Sequence, residues 1–157
     1  MASINFYMKK QIQDQWCWAA VSSSISSYYN KVAPWLQCHI VSMAFSDPTC
    51  CVNGGTTACN QPYFLHTALH ITQNLNTWVT RALTYAETDN EIALGHPVGV
   101  RIAWNGGGGH FVAITATQQN WVEVMDPWSG MHRVPYDIAK FSYKGGGAWS
   151  HSYITQS

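Results

Sequence analysis

The amino-acid sequence predicts an α+β fold, in which a helical N-terminal half is followed by an antiparallel β-sheet. Apolar residues recur at helical spacing in the first half, whereas β-rich runs separated by turn residues dominate the second. Helices first and an antiparallel sheet second is the α+β arrangement. The chain has 157 residues, 46% hydrophobic and 13% aromatic, so we expect a single domain over residues 1–157 with a sizeable core.

Charge and hydropathy exclude two classes of partner. Only 10% of the residues are charged and the formal net charge is zero, so no basic patch can neutralise several phosphates. No apolar run approaches the roughly 20 residues that cross a bilayer. We therefore expect neither a nucleic-acid partner nor a membrane span.

The first predicted helix contains the residue on which the functional hypothesis depends. Asp14 can cap a helix that has Cys17 near its start, and the positive end of the helix dipole favours the thiolate form of such a cysteine. Gln11, six residues upstream, can fold back and offer an amide donor beside the sulfur. A nucleophile and an oxyanion donor are two parts of an acyl-transfer site. An isolated cysteine is otherwise most often a small buried hydrophobe.

Two further helices are predicted in the first half. Pro34 stands where the second helix would begin, and Asn60 can cap the third, with Pro62 in its first turn. Residues 46–60 lie between them, are rich in turn formers and contain three cysteines, which predicts a long loop pinned by cysteines. The second helix is predicted to carry an apolar stripe, and the third to turn three apolar residues inward; these are Leu36, Ile40, Met43 and Ala44, and Leu65, Ala68 and Leu69.

The second half of the chain is predicted to form strands with one short helix among them. The segment 88–91 is a capping box that can begin this helix, and Gly95 can end it. The predicted strands are 77–79, 97–104, 109–115, 120–126 and a last one near 150–155.

Two of these strands carry candidate partners for the thiol. His110 follows four glycines and begins a strand, and backbone without side chains lets a substrate approach a base closely. Asp126 ends the next strand, so the two side chains can meet at one edge of the sheet. A carboxylate there can orient the imidazole while the other ring nitrogen faces the thiol. Taken singly, the histidine is an ordinary strand-end residue and the aspartate an ordinary turn residue before Pro127.

Four cysteines remain besides Cys17, namely Cys38, Cys50, Cys51 and Cys59. Cys50 and Cys51 are not expected to bond to each other, because adjacent residues rarely reach disulfide geometry without strain. Their expected partners are the other two, and the sequence leaves the pairing open. The competing interpretation is a zinc site that combines these cysteines with His39, His66 or His70. Because no Cys-x-x-Cys pair is present, we favour two disulfides and expect no metal and no cofactor.

The order of Gln11, Cys17, His110 and Asp126 resembles that of the papain-like (clan CA) cysteine peptidases. The matching motifs are a glutamine six residues before Cys-Trp-Ala, a histidine opening the strand His-Phe-Val-Ala-Ile, and an aspartate two residues before a tryptophan. Within that clan the chain resembles the AvrRpt2-like family of bacterial effector proteases. Members of that family share the Trp-Cys-Trp-Ala-Ala helix and use Asp as the third catalytic residue.

This resemblance implies a papain-like fold and a role for each residue. Cys17 would be the nucleophile, His110 the base and later the acid, and Asp126 the residue that orients the histidine. Gln11 would stabilise the oxyanion together with the backbone N–H of Cys17. Trp128 would shield the His–Asp pair from water or pack as a core aromatic. The residues expected along the substrate cleft and its rim are Trp16, Trp18, Trp104, Gly109 and Trp128.

The function implied is a cysteine endopeptidase that cleaves protein substrates through a thioester acyl-enzyme. The resemblance further implies a secreted protein, or one delivered into a target cell as the effector or toxin domain of a longer protein. A cognate immunity or inhibitor protein is then an expected partner. The alternatives are a side-chain amidase, deamidase or transglutaminase-type enzyme with the same three residues, and a catalytically silent binding module.

Overall fold

The computed structural model describes all residues from Met1 to Ser157 and contains one antiparallel sheet with helices on both faces. The helices are α1 Cys17–Tyr29, α2 Gln37–Phe45, α3 Leu65–Ile71, α4 Tyr85–Ala93 and α5 Tyr136–Phe141, with a 3₁₀ helix at Pro48–Cys51. The strands are β1 Ala2–Ser3, β2 Leu75–Val79, β3 Val98–Trp104, β4 Gly109–Gln118, β5 Trp121–Asp126, β6 Gly130–Pro135 and β7 Gly147–Thr155. The predicted α+β class is confirmed.

The sheet separates two hydrophobic cores. Its strands are ordered β2-β7-β3-β4-β5-β6, and β1 pairs with β4 beside this path. Successive side chains of a strand point to opposite faces. Accordingly, Val100 and Val112 pack in the core that includes α4 and α5, whereas Phe111, Ala113 and Tyr153 pack in the core that includes α1, α2 and α3. No helix of the chain is both long enough and apolar enough to cross a membrane.

Helix α1 is buried on every side along residues 17–26, rather than on one apolar face. The sequence there is rich in alanine and serine, whose small side chains let neighbouring elements approach closely. The buried serine hydroxyls are satisfied locally, because Ser22 donates to the carbonyl of Trp18 at 2.9 Å and Ser24 to that of Ala20 at 2.7 Å. The helix that begins at Cys17 is therefore held rigidly inside the domain.

The predicted caps of the first and third helices are wrong, for a shared physical reason: the capping side chains have tertiary partners. Asp14 does not cap α1; its carboxylate accepts a hydrogen bond from Asn60 Nδ2 at 2.7 Å, and Trp16 is the residue before the helix. Asn60 in turn accepts from the Gln15 N–H at 3.0 Å, and α3 begins only at Leu65.

Helix α2 begins at Gln37 rather than at Pro34. The intervening Trp35 is held in an extended segment by two buried serines of α1. Its N–H donates to Ser26 Oγ at 2.9 Å, and its carbonyl accepts from Ser23 Oγ at 2.6 Å.

The second half of the chain matches its prediction more closely. The five predicted strands are present, and Gly95, with φ +86°, ends α4 as expected. The capping box lies four residues earlier than predicted, at Thr84 and Glu87, where Arg81 also pairs with the glutamate. The elements that the sequence did not indicate are β1, β6 and α5, which are short and mostly polar or exposed.

The four remaining cysteines form the disulfides Cys38–Cys51 and Cys50–Cys59, and Cys17 is the free cysteine. The predicted absence of a Cys50–Cys51 bond is confirmed, and the pairing left open by the sequence is resolved. Neither of the two groupings of metal-type ligands around these sulfurs contains His66 or His70. His66 instead stacks on Trp78, with ring centroids 4.5 Å apart.

The segment closed by these bonds fixes the start of α1. Trp16 is buried, at 1% exposure, and its Nε1 donates to the carbonyl of Cys59 at 2.9 Å. Trp18 Nε1 donates to the carbonyl of Gln61 at 2.9 Å. A side chain at Gly54 would lie 2.8 Å from the Trp16 ring, so glycine is required for this close approach. We call residues 59–61 with the Cys50–Cys59 bond the disulfide clamp.

We predict that removing the clamp bond destabilises the domain by about 2–4 kcal/mol. The double variant Cys50→Ala/Cys59→Ala should show this loss in urea unfolding, with Cys17→Ala in every protein so that no thiol can exchange. The matched control is Cys38→Ala/Cys51→Ala, which removes a more exposed bond with a sequence separation of 13 against 9, so a smaller loss there shows that burial rather than loop length sets the cost. Equal unfolding midpoints for the clamp variant and its parent would contradict the prediction, as would five free thiols in protein made under oxidising conditions.

Candidate active site

The start of α1 and the adjacent ends of β4 and β5 bring three predicted site residues together. Cys17 is the first residue of α1, His110 the second of β4, and Asp126 the last of β5. His110 Nε2 lies 2.8 Å from Asp126 Oδ1, and Cys17 is close enough to the His110 ring to contribute to its raised pKa. The structure therefore brings His110 and Asp126 together at one edge of the sheet, as their positions in the sequence suggested.

Asp126 is a buried carboxylate surrounded by donors, with a side chain only 1% exposed. Its Oδ1 accepts from the Trp128 N–H at 2.8 Å as well as pairing with His110, and its Oδ2 accepts from the Tyr143 hydroxyl at 2.7 Å. Lys144 Nζ is 3.8 Å away. Burial alone would raise the pKa of Asp126, but the hydrogen bond and charge of His110, with the donors of Tyr143 and Trp128, hold the pKa well below its usual range.

Tyr143 is the site residue that the sequence did not indicate. It is buried, and its ring stacks near Trp104, which stacks in turn on His110 with centroids 6.0 Å apart. Burial, followed by the neighbouring Asp126, raises the pKa of the Tyr143 hydroxyl, so the group remains a donor at neutral pH. No motif marks this tyrosine, because its contact with Asp126 arises only when α5 and the turn after it fold back beside β5.

The pKa of His110 is shifted in the direction expected for a histidine in an ion pair. Burial lowers its pKa, but the hydrogen bonds to Asp126 and Cys17, together with their charges, outweigh burial and raise the pKa to about 9. The ring is therefore protonated at neutral pH. Its Nε2 is turned to Asp126, which leaves Nδ1 for the thiol side.

Gln11 is buried beside these residues and forms hydrogen bonds both with the segment after β5 and with the segment before α1. Its backbone N–H donates to the carbonyl of Pro127, the residue after Asp126, at 3.0 Å. Its Nε2 donates to the carbonyls of Gln13 and Asp14 at 3.0 and 2.8 Å, and its Oε1 is buried without a hydrogen-bond partner. For the predicted oxyanion role, Nε2 must release one of these backbone carbonyls.

A cleft of about 570 Å³ opens beside Cys17, between the helical half and the sheet. Of the predicted cleft residues, Trp18 and Gly109 line it. Trp16 does not, because its ring is buried against the disulfide clamp, and this part of the prediction is wrong. The walls are formed largely by Tyr63, Phe64, His66, Trp78, Phe111 and Tyr153.

Trp128 and Trp104 lie on the other side of His110. They line a smaller depression of about 260 Å³ together with His110 and Asp126. The Trp128 indole is 58% exposed, so only part of its ring can cover the His–Asp pair. Shielding by this ring stays a prediction.

The family model for the papain-like cysteine protease AvrRpt2, peptidase family C70, matches residues 2–144. The chain belongs to this family. It is thus a papain-like cysteine protease, a hydrolase, which agrees with the sequence-based prediction and argues against a silent binding module. No curated protein sequence is detectably similar to this papain-like protease.

Solved structures of other peptidases share the fold. The peptidase domain of Streptococcus ComA, a bi-functional ABC transporter of a quorum sensing pathway, aligns with a TM-score of 0.65 at 14% identity, covering 98% of this chain and 100% of that domain. A putative C39-like peptidase from Bacillus anthracis aligns with a TM-score of 0.62 at 15% identity, covering 100% and 99%. A double glycine motif protease from an AMS/PCAT transporter gives 0.58 at 15% identity, covering 99% and 95%. At these identities the likeness shows the fold of this papain-like protease.

The raised pKa of His110 predicts a stability that depends on pH. The folded pKa of about 9 lies above the ordinary value of 6.5, so the stabilisation from the protonated ring is complete below pH 6.5 and is lost as the pH rises through 9. An NMR titration of the imidazole should show an inflexion near 9, and Asp126→Asn should move it to lower pH because the carboxylate charge is removed.

The control for this titration is His39→Gln, which changes an exposed histidine outside the site. It should leave the His110 inflexion and the pH dependence of the free energy of unfolding unchanged. A wild-type His110 that titrates at or below 6.5 would contradict the prediction.

Proposed function

We propose that the protease is an endopeptidase whose catalytic triad is Cys17, His110 and Asp126. The observation that carries this proposal is the position of His110, whose Nε2 lies 2.8 Å from Asp126 Oδ1 and whose pKa is raised by Asp126 and Cys17 together. A charged imidazole held between a carboxylate and a thiol is the arrangement that activates a cysteine nucleophile.

Each step then has an assigned residue. The Cys17 sulfur, as thiolate, attacks the scissile carbonyl carbon, and its oxygen becomes an oxyanion. The C–N bond breaks as protonated His110 gives its proton to the leaving amine, and a thioester to Cys17 remains. Neutral His110 next takes a proton from water, whose oxygen attacks the thioester. Release of the acid product returns the thiolate and the protonated imidazole.

Two hydrogen-bond donors near the start of α1 stabilise the oxyanion. The first N–H groups of a helix have no intrahelical partner, which leaves the N–H of Cys17 for the oxyanion. Gln11 Nε2 is the second donor, once it releases the carbonyl of Gln13 or Asp14. Asp126 keeps the histidine ring in the orientation that both steps need.

Cys17→Ala is expected to lower the rate of substrate cleavage by at least about a thousandfold with little loss of stability. An epoxide-type thiol inhibitor should label the wild-type protein at Cys17, located by mass spectrometry, and should not label the variant. Cleavage at the wild-type rate by Cys17→Ala would overturn the assignment. A mass gain of about one dalton on an intact substrate would instead identify side-chain deamidation.

Gln11→Ala separates the oxyanion assignment from the nucleophile assignment. It should lower kcat by about 10²–10³ while labelling at Cys17 persists, whereas the matched control Gln13→Ala should change kcat little. Equal kcat values for the two variants would remove Gln11 from the oxyanion site.

We further propose that the protease acts as a secreted or delivered bacterial effector or toxin, with a cognate inhibitor in the producing cell. The family match to AvrRpt2 supports this, since the proteases that this chain resembles are effectors. A thiol protease also needs restraint before it reaches its target. The inhibitor would cover the cleft beside Cys17, where Phe64 and Trp78 offer exposed aromatic surface. The predicted rim residues Trp16 and Trp18 are buried, so they cannot offer exposed aromatic surface to an inhibitor.

Wild-type protein is therefore expected to slow the growth of a susceptible host, and Cys17→Ala to relieve the effect, because toxicity would require peptide-bond cleavage. Growth curves at matched protein levels measure this. If the two cultures grow equally while purified wild-type protein cleaves substrate, the toxin proposal fails and the peptidase proposal stands.

A further inference from the structure

Arg101 occupies the middle of the sheet face that forms one wall of the cleft. It lies on β3, paired with His151 of β7 and Phe111 of β4, and all three side chains line the cleft that Cys17 opens into. The pairing of β3 with β7 shifts register after Arg101, and Ser150 is the extra residue. Arg101 Nη1 donates to Ser150 Oγ at 3.1 Å. Irregular pairing of this kind re-aims side chains at functional sites.

The guanidinium lies flat against Gly109, the residue before His110. A Cβ at Gly109 would be 2.7 Å from Arg101 Nη2 and 2.8 Å from Cζ, so any other residue would displace the guanidinium. Gly109 was expected to let a substrate approach closely because it has no side chain. The same lack of a side chain also makes room for the Arg101 guanidinium. This contact places the Arg101 guanidinium against the residue that precedes His110 of the proposed triad.

Arg101 is the one arginine of the chain without a carboxylate partner. Arg81 pairs with Glu87 at 2.8 Å and Arg133 with Glu123 at 3.3 Å, whereas no acidic group lies within 4.0 Å of Arg101. No aspartate or glutamate lines the cleft. A half-buried guanidinium with most of its five donors free is suited to the carboxylate of a peptide substrate, because the planar fork can bind both oxygens.

The surrounding wall suits a side chain with an apolar stem. Trp78 stacks on His66 at 4.5 Å between centroids and lies 6.1 Å from His151 and from Tyr153. These flat faces can pack methylene groups while the guanidinium binds the charged end.

We propose that Arg101 is a specificity-determining residue that binds a carboxylate of the substrate next to the scissile bond, so that the protease prefers an acidic residue there. The inference deepens the proposed function and rests on Cys17 as nucleophile. A carboxylate at this position has two sources, the side chain of Glu or Asp and the free C-terminus of a short peptide.

The test uses matched fluorogenic peptides that differ only by Glu, Gln or Lys at each of three positions on either side of the cleaved bond. A second pair compares a C-terminal acid with its amide. The wild-type protein should prefer Glu over Gln at one position by about tenfold or more in kcat/KM, and added salt should reduce the preference. A preference for the C-terminal acid alone would assign the site to chain ends and overturn the side-chain specificity.

The variants are Arg101→Gln and Arg101→Glu, with Arg133→Gln as the matched control that removes one charge from the surface. Arg101→Gln should lower the Glu-to-Gln ratio to about one while cleavage of the Gln peptide stays within about threefold of wild type. Arg101→Glu should prefer Lys, and Arg133→Gln should behave as wild type. Labelling of Cys17 by the epoxide inhibitor confirms that each variant is folded.

Two further results would overturn the proposal without affecting the peptidase assignment. One is peptide cleavage by the wild-type protein with no acidic preference at any position. The other is a preference that survives in Arg101→Gln. Absence of Cys17-dependent cleavage from all peptides and from a denatured protein substrate would count against the proposed function itself.

Discussion

The buried charge of Asp126 is the constraint on which the architecture around the site depends. A carboxylate that is almost completely removed from water is tolerated only when donors surround it, because desolvation otherwise costs several kcal/mol. The donors come from different parts of the chain: His110 from β4, Tyr143 from the turn before β7, and the backbone of Trp128 after β5. Removing one of these donors leaves part of the carboxylate charge without a partner. The structure of the C-terminal third of the fold therefore depends on the position of this one side chain.

The other half of the site is fixed by packing rather than by charge. Helix α1 is enclosed along its first ten residues, and the tryptophans on both sides of Cys17 donate to carbonyls of the disulfide clamp. The two halves are joined by the bond from the Gln11 N–H to the carbonyl of Pro127. Helix and sheet therefore hold the thiol and imidazole from opposite sides, with the cleft between them.

The sequence indicated those features that depend on residue type and order. The β-rich runs predicted the strands, and the positions of His110 and Asp126 predicted their contact, since adjacent antiparallel strands bring such ends together. Helix starts were missed because Asp14 and Asn60, both good capping residues, bond to each other across the fold. The position of Trp16 was missed because exposure of a tryptophan depends on what packs over it. Arg101 and Tyr143 carry no motif, and only the assembled sheet shows what they face.

The disulfide clamp and the free thiol of Cys17 require different redox conditions. Cysteine nucleophiles are kept active by reductants, because the thiolate otherwise oxidises. Here the same reductant acts on the disulfides that hold the start of α1, where Cys17 lies. Cys50 and Cys59 are buried whereas Cys51 is exposed, so thiol–disulfide exchange reaches the Cys38–Cys51 bond first. Under reducing conditions the Cys38–Cys51 bond would thus be lost before the Cys50–Cys59 bond, and the working life of the enzyme would be set by how slowly an attacking thiol reaches the sulfur of Cys50 or Cys59.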